Sequence, residues 1–205
     1  MYCLACTGGI GSGKSYVVKI LSGMGIPSYS ADSRAKSLYY TDINLQQELS
    51  TLLGRDIMEG GILQREFIAS KIFNNPKLLE SVNDLVHPKV LLDFVKWRDS
   101  MDRAGNKLGV IESAIIQELD EFLKFIDGIL VVIAPKDVRI ERIIKRDKLN
   151  REAVLERISN QWSDEERLLT SDFIIYADGK RSVMPQVINL LDQLKWDMED
   201  GSLVH

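Results

Sequence analysis

Residues 7–15 read Thr7-Gly8-Gly9-Ile10-Gly11-Ser12-Gly13-Lys14-Ser15. Gly8, four residues and then Gly13-Lys14-Ser15 is the spacing of a phosphate-binding loop. A short apolar run, Tyr2 to Cys6, precedes it, and a helix-like run, Tyr16 to Met24, follows. That strand–loop–helix setting is what the motif needs in order to work. Glycines let the backbone curl until its N–H groups face an anion. The next helix points its positive end at the same anion. Gly11, Ser12, Gly13, Lys14, Ser15 and Tyr16 are therefore the expected phosphate cradle. Lys14 has the reach for the terminal phosphates, and the Ser15 hydroxyl suits Mg²⁺.

Outward from the loop, apolar runs at Gly109–Ile111, Ile129–Ala134 and Phe173–Tyr176 read as buried strands, with a weaker one at Pro27–Ala31. They alternate with helical patterns, the signature of a parallel sheet with helices on both faces. The loop helix is expected to stop at Gly23 and Gly25, ahead of Pro27. The last helix is expected over about 182–196, with Val183, Val187, Leu190, Leu191 and Leu194 on one face. Residues 42–105 show no convincing strand, only amphipathic helical stretches punctuated by Gly54, Gly60-Gly61, Asn74-Asn75-Pro76 and His87-Pro88. They read as a helical insertion suited to holding a substrate. Residues 136–157 are rich in arginine, with Arg139, Arg142 and Arg146 on one helix face. Acids are interspersed, so a solvated, ion-paired helix explains that stretch taken alone. Beside a triphosphate it also suits a lid that neutralises charge and excludes water. One domain is expected over 1–205, with a core of 1–41, 106–135 and 158–205, the insertion at 42–105 and the lid at 136–157.

A hydrophobic share of 45% is enough for a packed core, and a net charge of −4 excludes a general nucleic-acid binder. Any basic site must be local. With no leader-like segment and no apolar run near 20 residues, a soluble cytoplasmic protein with no membrane partner is expected. Cys3 and Cys6 fall on one strand, where residues three apart face opposite ways. They read as two small buried residues, with no metal and no disulfide between them.

The loop alone admits GTPases, motor ATPases and small-molecule kinases. Asn106-Lys107 is followed by Leu108-Gly109, so the guanine-reading Asn-Lys-x-Asp is missing. The apolar run Ile129–Ala134 ends in Pro135 and not in an acid pair. Glu112, after Val110-Ile111, is placed to hold Mg²⁺ through water. Asp32 follows the Pro27–Ala31 strand, the first after the loop helix, where an open parallel sheet has its ligand crevice. A carboxylate there orients an acceptor hydroxyl and takes its proton late in the transfer. The same residue also suits an N-cap for a helix starting near Ser33.

These residues together resemble the dephospho-coenzyme A kinases, which phosphorylate the ribose 3′-hydroxyl of dephospho-CoA with ATP in the last step of CoA synthesis. The resemblance runs from the first strand to about Gly179. It rests on the loop at 7–15, on Gly25-Ile26-Pro27 with Ala31-Asp32, and on Gly61-Ile62-Leu63-Gln64-Arg65. Ile72-Phe73-Asn74-Asn75-Pro76, Leu85-Val86-His87-Pro88, Arg142, Arg146-Asp147, Arg157 and Gln161 extend it. It implies a P-loop nucleoside-triphosphate hydrolase fold of the nucleotide-kinase type, with a five-stranded parallel sheet, a helical CoA-side insertion and an Arg-rich lid. Asp32, Lys14 and Arg142 would then be catalytic, with Arg146 at the nucleotide, Ser15 and Glu112 at Mg²⁺, and Arg65 and His87 with Asp32 at the acceptor. Read alone, His87 before Pro88 is a turn or capping residue and Arg65 a surface charge. The chain departs from the family pattern at Tyr16 (usually Thr), Ser30 (usually Asp), Ser113–Gln117, and Tyr176-Ala177-Asp178-Gly179, where Asn usually precedes the Gly. A monomer acting on a small molecule is the expected state. A kinase for a nucleoside monophosphate or sugar acid, or a nucleotide-dependent switch, shares the loop and stays as an alternative.

Overall fold

The computed structural model describes residues 1–73 and 75–196; Asn74, part of the Ile72–Pro76 signature, lies outside the described residues. The chain forms two compact units, one of residues 1–30 with 97–205 and one of residues 31–96. The second begins at Ala31, so it takes in a helix that the sequence reading places in the core.

In the first unit, β1 (Tyr2–Thr7) leads through the glycine loop into α1 (Lys14–Gly23) and then β2 (Ser28–Ser30). The second unit holds α2 (Ala31–Thr41), α3 (Ile43–Leu53), β3 (Met58–Glu59), β4 (Ile62–Leu63), α4 (Arg65–Ile72) and most of α5 (Pro76–Arg103). The first unit resumes at the end of α5 with β5 (Leu108–Glu112), a short 3₁₀ turn (Ile116–Glu118), α6 (Asp120–Leu123) and β6 (Gly128–Ile133). It finishes with α7 (Lys136–Asp147), α8 (Arg151–Ser159), α9 (Asp164–Leu168), β7 (Phe173–Tyr176) and α10 (Val183–Gln193).

All five expected strands form, in the order β2-β5-β1-β6-β7. Every pairing is parallel, with Cys6 beside Glu112 and Thr7 beside Val131. A sheet covered on both faces needs apolar residues at successive positions, which is why β1 and β6 read as continuous apolar runs. Leu4 and Cys6 pack with Val17 and Leu21 of α1 and Val187, Leu190 and Leu191 of α10. Cys3 falls on the alternate side; both thiols are free, and burial pushes each up to about 12. Neither is a thiolate at neutral pH. Leu4 is fully buried in the sheet's central strand. Leu4→Ala is expected to cost about 2–5 kcal/mol through lost burial and a residual cavity. The check is a lower urea midpoint with an unchanged m-value.

Two features of the insertion differ from the sequence reading. First, residues 58–63 form an antiparallel hairpin, Met58 opposite Leu63 and Glu59 opposite Ile62. Gly60 and Gly61 both have positive φ, 58° and 79°, as a two-residue turn of the hairpin type requires. Two-residue strands are too short to show an alternating pattern, so the glycines read only as punctuation. Second, His87-Pro88 does not break the helix: α5 runs through it for 28 residues. Val82, Val86, Val90 and Phe94 are buried at every fourth position across the proline. Burying that continuous stripe offsets the roughly 3 kcal/mol cost of an internal proline. Asn75 accepts the Leu78 N–H at 3.1 Å, and Pro76 follows it at the first helical position.

Candidate active site

In the first unit, the loop leaves β1 at the carboxyl end of the strand and next to both neighbours in the sheet. The strand order reverses around β1, where open parallel sheets bind their ligands. Gly8 takes φ 143°, and a Cβ there would lie 2.3 Å from the Val132 carbonyl oxygen. No other residue fits, because the loop crosses directly against β6. Gly13 caps α1 in the left-handed region, with φ 108°.

Lys14 curls back over the loop. Its Nζ donates to the Gly8 carbonyl at 2.8 Å and to that of Gly9 at 3.2 Å. Ser15 donates its hydroxyl to Glu112 Oε1 at 2.5 Å. The sheet register explains this contact, since Glu112 pairs with Cys6 just before the loop. A hydroxyl and a carboxylate oxygen side by side make a hard-oxygen donor set. That suits Mg²⁺, which takes few protein ligands and completes its shell with water and phosphate. No larger cluster of His, Cys, Asp and Glu occurs among the described residues.

The arginine block divides by what each side chain contacts. Arg142 donates to the Gly11 and Ser12 carbonyls, each at 3.2 Å, and to the Ala177 carbonyl at 2.7 Å. It thus ties the loop to the segment after β7. Arg139, 5% exposed, donates Nε to the Ile10 carbonyl at 3.0 Å and pairs with Asp164 at 3.1 Å. The Ile10 N–H in turn donates to Gln161 Oε1 at 2.8 Å. Both backbone groups of Ile10 are therefore held by side chains from the far half of the chain. Arg146 instead donates to Asp147 at 2.7 and 3.0 Å from an exposed position, and Arg157 pairs with the same Asp147. These bonds hold the Asp147 carboxyl below the usual carboxylate range.

Arg167 is the largest fully buried side chain. Its Nη1 donates to the Ala114 carbonyl at 2.8 Å, and its Nη2 lies 4.0 Å from Glu118. Gln117 donates to the Arg167 carbonyl at 2.9 Å and to Thr170 Oγ1 at 2.8 Å. Burial lowers the Arg167 pKa, and Glu118 and Asp164 oppose that shift. A guanidinium keeps its charge regardless. Ser163 and Glu166 close a reciprocal capping box at the start of α9, which fixes the turn carrying Asp164 and Arg167. Arg139 and Arg167 sit against the acids Asp164 and Glu118, while Arg142 bonds backbone carbonyls. Beside them, a cavity of about 440 Å³ is lined by Gly13, Tyr16 and Arg142 and by residues of the 177–183 segment. Tyr16 is exposed there. Arg181 stacks on Tyr176 at 4.2 Å and pairs with Asp178 at 3.5 Å.

In the second unit, α2 starts at Ala31, directly after β2, and Asp32 is exposed in its first turn. Asp32 is thus inside the helix and not its N-cap, the alternative role its residue type suggested. An acid in a first turn still complements the helix dipole. Arg65 opens α4 and donates to the Tyr40 hydroxyl at 3.1 Å. Arg34 and Asp93 form a two-pronged ion pair at 2.6 and 2.7 Å, tying α2 to α5. His87 lies half-buried within α5, where burial lowers its pKa against the opposing pull of Asp84. It does not line the cavity that Arg65 lines.

Sequence reasoning saw Arg139 only as one of three arginines on a basic helix face, and it had no signal for the contacts of Gln117 and Arg167. The carbonyls that Gln117, Arg139 and Arg167 bond lie 50, 129 and 53 positions away along the chain. Gln161 was visible only through the family resemblance.

The family model described as Dephospho-CoA kinase matches residues 2–182. A curated relative from Bacteroides fragilis, named Dephospho-CoA kinase, is 36% identical over 191 residues, covering 92% of this chain and 90% of that protein. One of the same name from Porphyromonas gingivalis is 36% identical over 196 residues, covering 95% of each. Among solved structures, protein TT1252 from Thermus thermophilus is similar with a TM-score of 0.76 and 27% identity, over 94% of this chain and 95% of that one. A Dephospho-CoA kinase from Campylobacter jejuni has a TM-score of 0.61 at 23% identity, over 93% and 96%, and supports the fold. A phosphate loop alone would match many kinds of enzyme. The match here runs through the loop, the 42–105 insertion and the arginine block alike, and on that ground the chain belongs to the dephospho-CoA kinase family.

Proposed function

We propose that Asp32, Lys14 and Arg142 carry the transfer of the terminal phosphoryl group of ATP to the ribose 3′-hydroxyl of dephospho-CoA. The 3′-oxygen attacks the γ-phosphorus in line, and the bond from that phosphorus to the β-phosphate oxygen breaks. ADP leaves, and the hydroxyl proton passes to the Asp32 carboxylate. The backbone N–H groups at Gly11–Tyr16 hold the phosphates. Lys14 offsets the charge that develops as the bond to ADP breaks. Arg142 fixes the loop against the segment after β7 and adds positive charge. Arg146 serves the nucleotide on lid closure, releasing Asp147. Arg65 and His87 serve the acceptor. Ser15 and Glu112 are the residues that would hold Mg²⁺, which when bound neutralises phosphate charge.

The observation that carries this reading is the Ser15–Glu112 contact at 2.5 Å beside the Lys14-capped loop. It gathers a cation, an oxygen pair and a phosphate cradle at the adjacent ends of β1 and β5. No helix among the described residues is long and apolar enough to cross a membrane, which supports a soluble cytoplasmic enzyme.

Incubated with ATP, Mg²⁺ and dephospho-CoA, the protein is expected to yield CoA, detected by mass. AMP, CMP and gluconate run in parallel are expected to stay unmodified. Absence of CoA with ATP and Mg²⁺ saturating would overturn the reading, and phosphorylation of AMP or gluconate instead would replace it with the alternative kinase.

A further inference from the structure

The carbonyls of successive loop residues, 8–12, all accept from cationic side chains. Lys14 takes those of Gly8 and Gly9, Arg139 that of Ile10, and Arg142 those of Gly11 and Ser12. A trans peptide is planar, so its C=O and its N–H point opposite ways. Turning the carbonyls toward cations therefore turns the N–H groups of the same peptides away from them. At one peptide this arrangement depends on a residue that the transfer itself does not use. Arg139 Nε donates to the Ile10 carbonyl at 3.0 Å, which aims the Gly11 N–H the other way. That peptide is prone to flip, because Gly11 sits at φ 78° and a glycine crosses between positive and negative φ at little cost. Flipped, it would offer an anion a carbonyl in place of a donor.

Arg139 is itself firmly seated. It is buried and paired with Asp164 at 3.1 Å, and Asp164 stands in the first turn of α9, which the Ser163–Glu166 capping box fixes. Gly9 carries the imprint of the same contact. Gly8, Gly11 and Gly13 take positive φ, but Gly9 does not. What demands a glycine there is space, since a Cβ on Gly9 would collide with the Arg139 guanidinium. We propose that Arg139 is a positioning residue of the phosphate loop: held by Asp164 and seated against Gly9, it locks the Ile10–Gly11 peptide so that the Gly11 N–H faces the phosphates of the nucleotide. The proposal rests on the assignment of the loop N–H groups to ATP given above. It separates Arg139 from its helix neighbours Arg142 and Arg146, because its target is the backbone that makes the cradle.

Gly9→Ala tests the lock without removing the charge. The nearest atoms to the new methyl all belong to the flexible end of Arg139, so the variant is expected to fold with the guanidinium displaced. Gly9→Ala and Arg139→Ala are each expected to weaken ATP binding in calorimetry by about 10- to 100-fold, the scale for a lost hydrogen bond to a charged group. The KM for dephospho-CoA is expected to stay within about twofold. The double variant is expected to bind ATP as Arg139→Ala does, because the methyl then has no guanidinium to displace. With ¹⁵N-glycine labelling, the Gly11 amide resonance is expected to move on ATP addition in the wild-type protein and far less in either variant. If the wild-type protein binds ATP and both single variants match it in affinity, with only the thermal midpoint lowered, the Arg139 assignment is overturned and the reaction stands. Full additivity of the two losses overturns it as well. A wild-type protein that binds no ATP overturns the loop assignment on which the proposal rests.

Discussion

Lys14→Ala is expected to lower kcat with dephospho-CoA by roughly 10²–10³-fold, the scale for losing one charged group aimed at a developing anion. The structure explains why the loss falls on kcat. Lys14 Nζ bridges the Gly8 and Gly9 carbonyls at 2.8 and 3.2 Å, so its charge is already positioned over the loop. Preorganised charge costs no rearrangement when the bond to ADP breaks. Removing it leaves the backbone N–H groups that are proposed to bind ATP in the ground state. KM for ATP is therefore expected to rise less than kcat falls. Lys14→Arg is expected to recover only part of the activity, because a planar fork does not reproduce a compact ammonium placed between two carbonyls. Steady-state kinetics on all three proteins, with ATP binding measured by calorimetry, provides the check. A Lys14→Ala protein with near-normal kcat would remove Lys14 from the transfer.

The loop was legible because its signal is local: nine consecutive residues specify the turn and the helix start. The five strands were legible because a sheet covered on both faces writes its burial directly into the sequence. The second unit was not read so well, and for physical reasons. A hairpin with two residues in each strand has no period to detect. Pro88 reads as a break, but the stripe Val82, Val86, Val90 and Phe94 outweighs it. The clamp on Ile10 was beyond local reading as well. Arg139 lies 129 positions from Ile10 and Gln161 lies 151, so only the tertiary fold brings them together. Arg139 was visible as one member of a basic helix face, yet that face splits. Arg139 turns into the loop while Arg146, seven residues on, turns to Asp147.

In the proposed mechanism the acceptor half of the reaction turns on Asp32. Asp32→Asn is expected to reduce kcat by about 10²–10⁴-fold, the range for losing a positioned general base. The amide keeps nearly the same size and still hydrogen-bonds the 3′-hydroxyl, but it cannot take the proton. Asp32 is exposed in the first turn of α2, with no core packing to lose, so the variant is expected to fold and to bind ATP nearly as the parent does. Because an acid in that turn also favours the helix dipole, a stability cost of about 0.3–1 kcal/mol is expected alongside. That cost is far too small to account for the kinetic loss. Asp32→Glu separates the two roles further. It keeps both the charge near the helix start and the basicity, but moves the carboxylate by one methylene, and near-attack geometry does not tolerate a shift of that size. It is expected to match the parent in stability and fall well below it in kcat. Near-normal turnover in Asp32→Asn would mean that the proton leaves by another route, and Asp32 would then be a positioning residue at most.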